Sequence, residues 1–97
     1  MIYNIVVTKK AQKEAFQAYL YYEEKQEGLG DRFIDKLEDR YFQLSENPQH
    51  YSFIYRDKGR NLRDIKIENF PFVIIYAIEG DSVIVYSIQN THKQHQI

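Results

Sequence analysis

The stretch from Phe70 to Ile88 constrains the fold more than any other. It reads Phe70-Pro71-Phe72-Val73-Ile74-Ile75-Tyr76-Ala77-Ile78, then Glu79-Gly80-Asp81-Ser82, then Val83-Ile84-Val85-Tyr86-Ser87-Ile88. Two runs of β-branched and aromatic residues flank a short polar turn, which predicts a β-hairpin. Gly80 supplies a positive φ without steric cost, and Asp81 suits a turn. Pro71 falls where a strand begins, where a missing N–H does little harm. Both faces of the hairpin are apolar. Phe72, Ile74, Tyr76 and Ile78 alternate with Val73, Ile75 and Ala77; on the second arm Ile84, Tyr86 and Ile88 alternate with Val83 and Val85. A two-layer domain needs one apolar face per sheet. The second face therefore predicts a second covering layer, a partner, or a homodimer through that face.

The remainder of the chain supplies the layers. Ile2 to Thr8 is rich in β-branched residues and predicts a first strand, with Thr8 placed to cap a helix begun at Lys9. From Lys9 the apolar period becomes helical: Ala11, Ala15, Tyr19 and Tyr22, widened by Phe16 and Leu20. Gly28-Leu29-Gly30 predicts the stop of this helix. Asp31 suits the positive end of a second one, whose stripe is Phe33, Leu37, Tyr41 and Leu44, helped by Ile34. Asn47-Pro48 ends it, because the residue before proline avoids the α region. A connection this short predicts an antiparallel αα-hairpin. A short strand over Phe53–Arg56, a turn over Lys58–Asn61 and an alternating strand over Leu62–Ile67 come next, and then the hairpin. The tail from Gln89 to Ile97 is polar and is expected to fray. The predicted order is β-α-α-β-β-β-β, an α+β fold with a helical hairpin packed on a twisted antiparallel sheet, in one domain over residues 1–97.

Composition narrows the function classes. The 97 residues contain no cysteine, so there is no disulfide framework and no cysteine-based metal site. No apolar run approaches the roughly 18–20 residues of a membrane span, and no signal peptide is visible, so a cytoplasmic protein is expected. The formal net charge of −1 gives no general affinity for polyanions. Charge is uneven, however. Arg56, Lys58, Arg60, Arg63 and Lys66 stand against only Asp57 and Asp64, so an anion-binding surface is expected there. His92 and His95 have helical ligand spacing, but they lie in a polar tail without a third ligand, and no metal site is predicted. Glu23-Glu24 and Asp31 read as a solvated helix face. No cofactor motif is visible.

Four stretches together carry a likeness. They are Tyr21-Tyr22-Glu23-Glu24 followed by Gly28-Leu29-Gly30-Asp31-Arg32-Phe33; Asn47-Pro48; Arg60-Asn61-Leu62-Arg63 before an aliphatic strand; and Phe70-Pro71-Phe72-Val73-Ile74-Ile75-Tyr76. In this order and spacing the chain resembles the RelE/ParE superfamily of bacterial type II toxin–antitoxin toxins, nearest its ParE-like, plasmid-stabilisation branch. The resemblance implies a cognate antitoxin whose disordered C-terminal segment wraps the toxin. With the doubly apolar hairpin, this assigns partner binding to Phe72, Ile74, Tyr76, Val83 and Val85.

Two chemistries occur in that superfamily. RelE-like members cut mRNA on the ribosome, which requires cations on the phosphate and a group that moves protons. Arg56, Lys58, Arg60, Arg63, Tyr86, His92 and Lys93 are the candidates here. Arg60, Arg63, Tyr86 and Lys93 form the preferred set, and Arg63 matches the basic position before the Phe-Pro-Phe strand. Members of the nuclease type often carry a histidine and then an arginine after the last strand, where this chain has Gln89 and then His92-Lys93. Its charge is also low for a ribosome-directed nuclease. ParE-like members instead bind DNA gyrase and need no catalytic set. The reading is therefore a ParE-like toxin that binds a macromolecular target and is neutralised by an antitoxin. A ribosome-dependent endoribonuclease and a degenerate, non-toxic member are the alternatives.

Overall fold

The computed structural model describes residues 2–54, 59 and 61–92. The elements are β1 (Asn4–Val7), α1 (Lys9–Lys25), α2 (Leu29–Glu46), a 3₁₀ turn (Pro48–His50), β2 (Arg63–Lys66), β3 (Phe72–Glu79) and β4 (Ser82–Asn90). The strands lie in the order β1-β4-β3-β2. β2, β3 and β4 are antiparallel neighbours, while β1 runs parallel to β4, with Val7 opposite Val85. The two helices pack on one face of this sheet, and the fold is α+β. The expected strand at Phe53 is reduced to a single bridge to Arg63, continued by the Ile54 N–H donating to the Leu62 carbonyl (2.8 Å). Residues 55–58 lie outside the described residues.

Each boundary has a local cause. Thr8 ends β1 by donating its N–H to Val85 (3.1 Å), and its hydroxyl then accepts the Ala11 N–H (3.2 Å) as the cap of α1. The helical turn departs from expectation at one position. Gly28 is left-handed (φ 87°) and precedes α2, but Gly30 lies inside the first turn of α2. A Cβ on Gly30 would meet the Tyr19 carbonyl oxygen at 2.6 Å, so its role is close helix approach and not termination. The Glu23 carboxylate accepts the N–H groups of both Gly28 (2.9 Å) and Gly30 (3.0 Å), satisfying donors that a helix start leaves open.

α1 packs through alanine. Ala11, Ala15 and Ala18 are buried, and Tyr22 continues their stripe into a ring cluster with Phe33, Phe70 and Phe72, centroids 4.9–6.1 Å apart. Aromatic residues from the helical-turn stretch and the Phe-Pro-Phe stretch thus meet at one place, where the helical hairpin clamps the start of β3. A further buried link ties the segment after α2 to β3: the Tyr76 hydroxyl donates to the Pro48 carbonyl (2.7 Å).

The hairpin forms as predicted, with Gly80 at φ 62°. Its register slips by one residue between Ile75 and Tyr76, which pair with Ser87 and Val85. Tyr86 is therefore the extra residue of a β-bulge. Strict alternation places Ile88 with Ile84 and Tyr86. The bulge instead returns Ile88 to the core layer with Val83 and Val85. The strand also extends further than expected: Gln89 and Asn90 pair with Val73 and Phe72. The expected fraying of the remaining tail concerns mostly residues 93–97, outside the described residues.

Candidate functional site

The predicted catalytic set does not converge among the described residues. Arg60 and Lys93, with Arg56 and Lys58, lie outside them. Arg63 sits on the helix-facing side of β2, opposite Tyr76. Its Nη1 donates to the carbonyls of Gln49 (3.1 Å) and Tyr51 (2.6 Å), and its guanidinium lies 3.9 Å from the centroid of the Phe53 ring. Those contacts fasten segment 49–53 to the sheet edge. Tyr86 stands on the opposite face of the sheet and donates to Glu79 Oε2 (2.6 Å). His92 is exposed beyond β4, its backbone N–H donating to Asn90 Oδ1 (2.8 Å). The two described members of the set, Arg63 and Tyr86, are thus separated by the sheet itself.

The predicted partner-binding set is corrected more sharply. Phe72, Ile74, Tyr76, Val83 and Val85 are all buried, and together they form the layer beneath the helices. The helical layer covers this face, so none of the five is available to a partner. The other face carries Val73, Ile75 and Ile84, all half-buried, around buried Ala77.

Exposed apolar side chains also stand on the helices, beside those of Ile2, Val6, Phe53 and Tyr86 elsewhere. Phe16 (58 % exposed), Leu20 (46 %) and Phe42 (63 %) project outward. Between α1 and α2 runs an open groove of ≈ 680 Å³. Val7, Gln12, Ala15, Phe16 and Tyr19 form one side, and Ile34, Leu37, Glu38 and Tyr41 the other. Burial pushes the Tyr41 phenol up to about 12, with nearby Glu38 acting in the same direction. Tyr41 therefore stays neutral at physiological pH, and among the described residues Glu38 is the one formally charged lining side chain. The sequence held a signal for this site. Ala11, Ala15, Ala18 and Tyr22 already make a complete packing stripe at spacings of four, three and four. Phe16 and Leu20 fall beside it, and large apolar residues off the packing stripe are candidates for contact with something else.

Among the described residues no helix is long and apolar enough to cross a membrane. No curated protein matches the chain. A solved structure described as a chromosomal ParDE TA system from P. aeruginosa has the same fold, with a TM-score of 0.77 and 13 % sequence identity over 92 % of this chain and 96 % of that one. The family described as ParE toxin of type II toxin-antitoxin system, parDE, matches residues 5–95. That span includes both helices, all four strands except the first residue of β1, and every likeness-bearing stretch; the chain belongs to the ParE toxin family.

Proposed function

We propose that this ParE-family chain arrests bacterial growth by binding a macromolecular target in the cytoplasm, with DNA gyrase the first candidate. A cognate antitoxin holds it inactive by laying an apolar segment into the groove between α1 and α2. The observation that carries the antitoxin half is the groove itself. Phe16 is exposed at the edge of a concave, mostly apolar surface, and Leu20 and Phe42 are exposed on the same two helices, which is the kind of surface an amphipathic helix docks on. The similarity to a ParDE toxin–antitoxin structure supports a partner of this kind. A target-binding mode is favoured over RNA cleavage by the placement of Arg63 and Tyr86 on opposite faces, each engaged within the chain.

Induction of this chain alone in bacteria, with mRNA ends mapped and DNA breaks scored in the same culture, tests the reading. Growth arrest with intact messages and broken DNA is the expected result. Codon-positioned cuts in messages would establish the nuclease alternative. Unimpaired growth with soluble, folded protein would identify a non-toxic member.

A further inference from the structure

The outer face of α1 carries a second pattern, on the side away from the core. Lys13, Gln17, Leu20 and Glu24 recur at spacings of four, three and four, and all four are exposed. Each stands two residues after a member of the packing stripe Ala11, Ala15, Ala18 and Tyr22, which is about 200° round the helix. The outer stripe therefore points away from the sheet. Phe16 and Tyr21 (52 % exposed) flank it, one on each side. The face is thus apolar at its centre, positive at one end through Lys13 and negative at the other through Glu24. The side-chain ion pairs among the described residues are Lys10–Glu14 and Lys36–Glu68, so the two end charges enter neither. Lys25 is turned onto the Tyr21 ring, 4.9 Å from its centroid. Glu24 lies in the last turn of α1, where the helix end is itself partially negative, and the first turn holds no acidic residue.

We infer that two copies of this chain associate through this face, α1 against α1 and antiparallel, about a two-fold axis between residues 18 and 19. A homodimer contact must be self-complementary, because one patch supplies both sides. Antiparallel pairing sets Lys13 against Glu24 of the second copy twice over, Phe16 against its Tyr21, and Gln17 against its Leu20. It also brings Glu24 toward the partially positive end of the second α1. Parallel pairing sets lysine against lysine and glutamate against glutamate. The charges therefore select the direction, and the apolar centre supplies the attraction. A crossing angle of about 20° keeps both ends in reach over the roughly 16 Å from Lys13 to Glu24. One helix against one helix is a small interface, so the dimer is weak. The inference does not rest on the antitoxin reading. Phe16 belongs both to this face and to the edge of the groove, so a second copy and a groove ligand compete for it.

Sedimentation equilibrium of the purified chain, from about 1 μM to about 1 mM, reads the association directly. The wild type should pass from monomer to dimer within that range, and Leu20→Glu should stay monomeric. Lys13→Glu or Glu24→Lys alone should weaken the dimer by about tenfold at low salt, and the double variant should return to within about threefold of wild type. Each single change suits the macrodipole of α1 better than the native residue does. Thermal melting should therefore find both variants folded and at least as stable as the wild type while the dimer weakens. Leu20→Ser repeats the first comparison if Leu20→Glu does not fold. A wild type that stays monomeric to about 1 mM, or a dimer that neither Leu20 variant weakens, would overturn the inference. Dimerisation unchanged in both single charge variants would overturn the antiparallel arrangement, and growth beyond the dimer would contradict a closed two-fold contact.

Discussion

Arg63 is the residue whose assignment the structure alters most. Its positive charge and its position before the Phe-Pro-Phe strand mark it as a phosphate ligand, yet its guanidinium donates to two carbonyls and covers the Phe53 ring. Hydrogen bonds from a charged donor contribute about 1.5–3 kcal/mol when well buried. Arg63 is half-buried, so Arg63→Ala should cost about 1–2 kcal/mol in urea unfolding. Arg63→Lys should recover little of this, because an ammonium lacks the planar fork. Wild-type stability in Arg63→Ala would show that the side chain is free for other work. Two tyrosines give a pH signature. Burial raises the phenol pKa of Tyr41, to about 12, and that of Tyr76 as well, from the ordinary value near 10. Burial favours the neutral phenol, so this contribution is complete below pH 10 and is lost as pH climbs through the folded-state values. The urea midpoint should therefore fall from about pH 10 upward, and Tyr41→Phe should flatten part of that fall. A midpoint independent of pH over that range would contradict the burial of both hydroxyls.

At the scale of elements, two short contacts determine how the helical hairpin closes. Gly30 lets α2 approach the Tyr19 carbonyl, and a methyl group there has no room. Gly30→Ala should destabilise the chain by about 1–3 kcal/mol, as overpacking does, and Phe33→Ala by about 3–5 kcal/mol through the cavity it leaves in the aromatic cluster. Urea unfolding reads both. If Gly30→Ala were neutral, Gly30 would be a simple helix breaker after all. That contrast marks where the sequence is legible. Thr8, Gly28, Asn47-Pro48 and Gly80 act locally, through capping, φ or steric exclusion, and their elements form where local chemistry places them. Gly30 acts through an atom eleven residues away, and Tyr86 acts through a register slip set by the pairing of β3 with β4. Neither signal exists in a window of neighbouring residues. The bulge also explains why strict alternation misassigns Ile88.

For the whole molecule, the doubly apolar hairpin correctly implies a sheet with more apolar surface than one helical layer covers, but not which surface a partner would take. Phe72, Ile74, Tyr76, Val83 and Val85 are the most apolar alternating set, and for that reason they are the core. Large apolar side chains left exposed outside the packing stripe are the candidates for a binding surface, and on the helices Phe16, Leu20 and Phe42 are among them. The most direct measurement is co-expression of this chain with the protein encoded by its neighbouring reading frame, comparing wild type with Phe16→Glu and Phe42→Glu. Both side chains are more than half exposed, so the variants should fold and still arrest growth. The wild type should co-purify with the neighbour and growth should recover; the variants should lose at least most of that association and stay toxic. Full rescue and co-purification of both variants would contradict the groove as the seat of neutralisation.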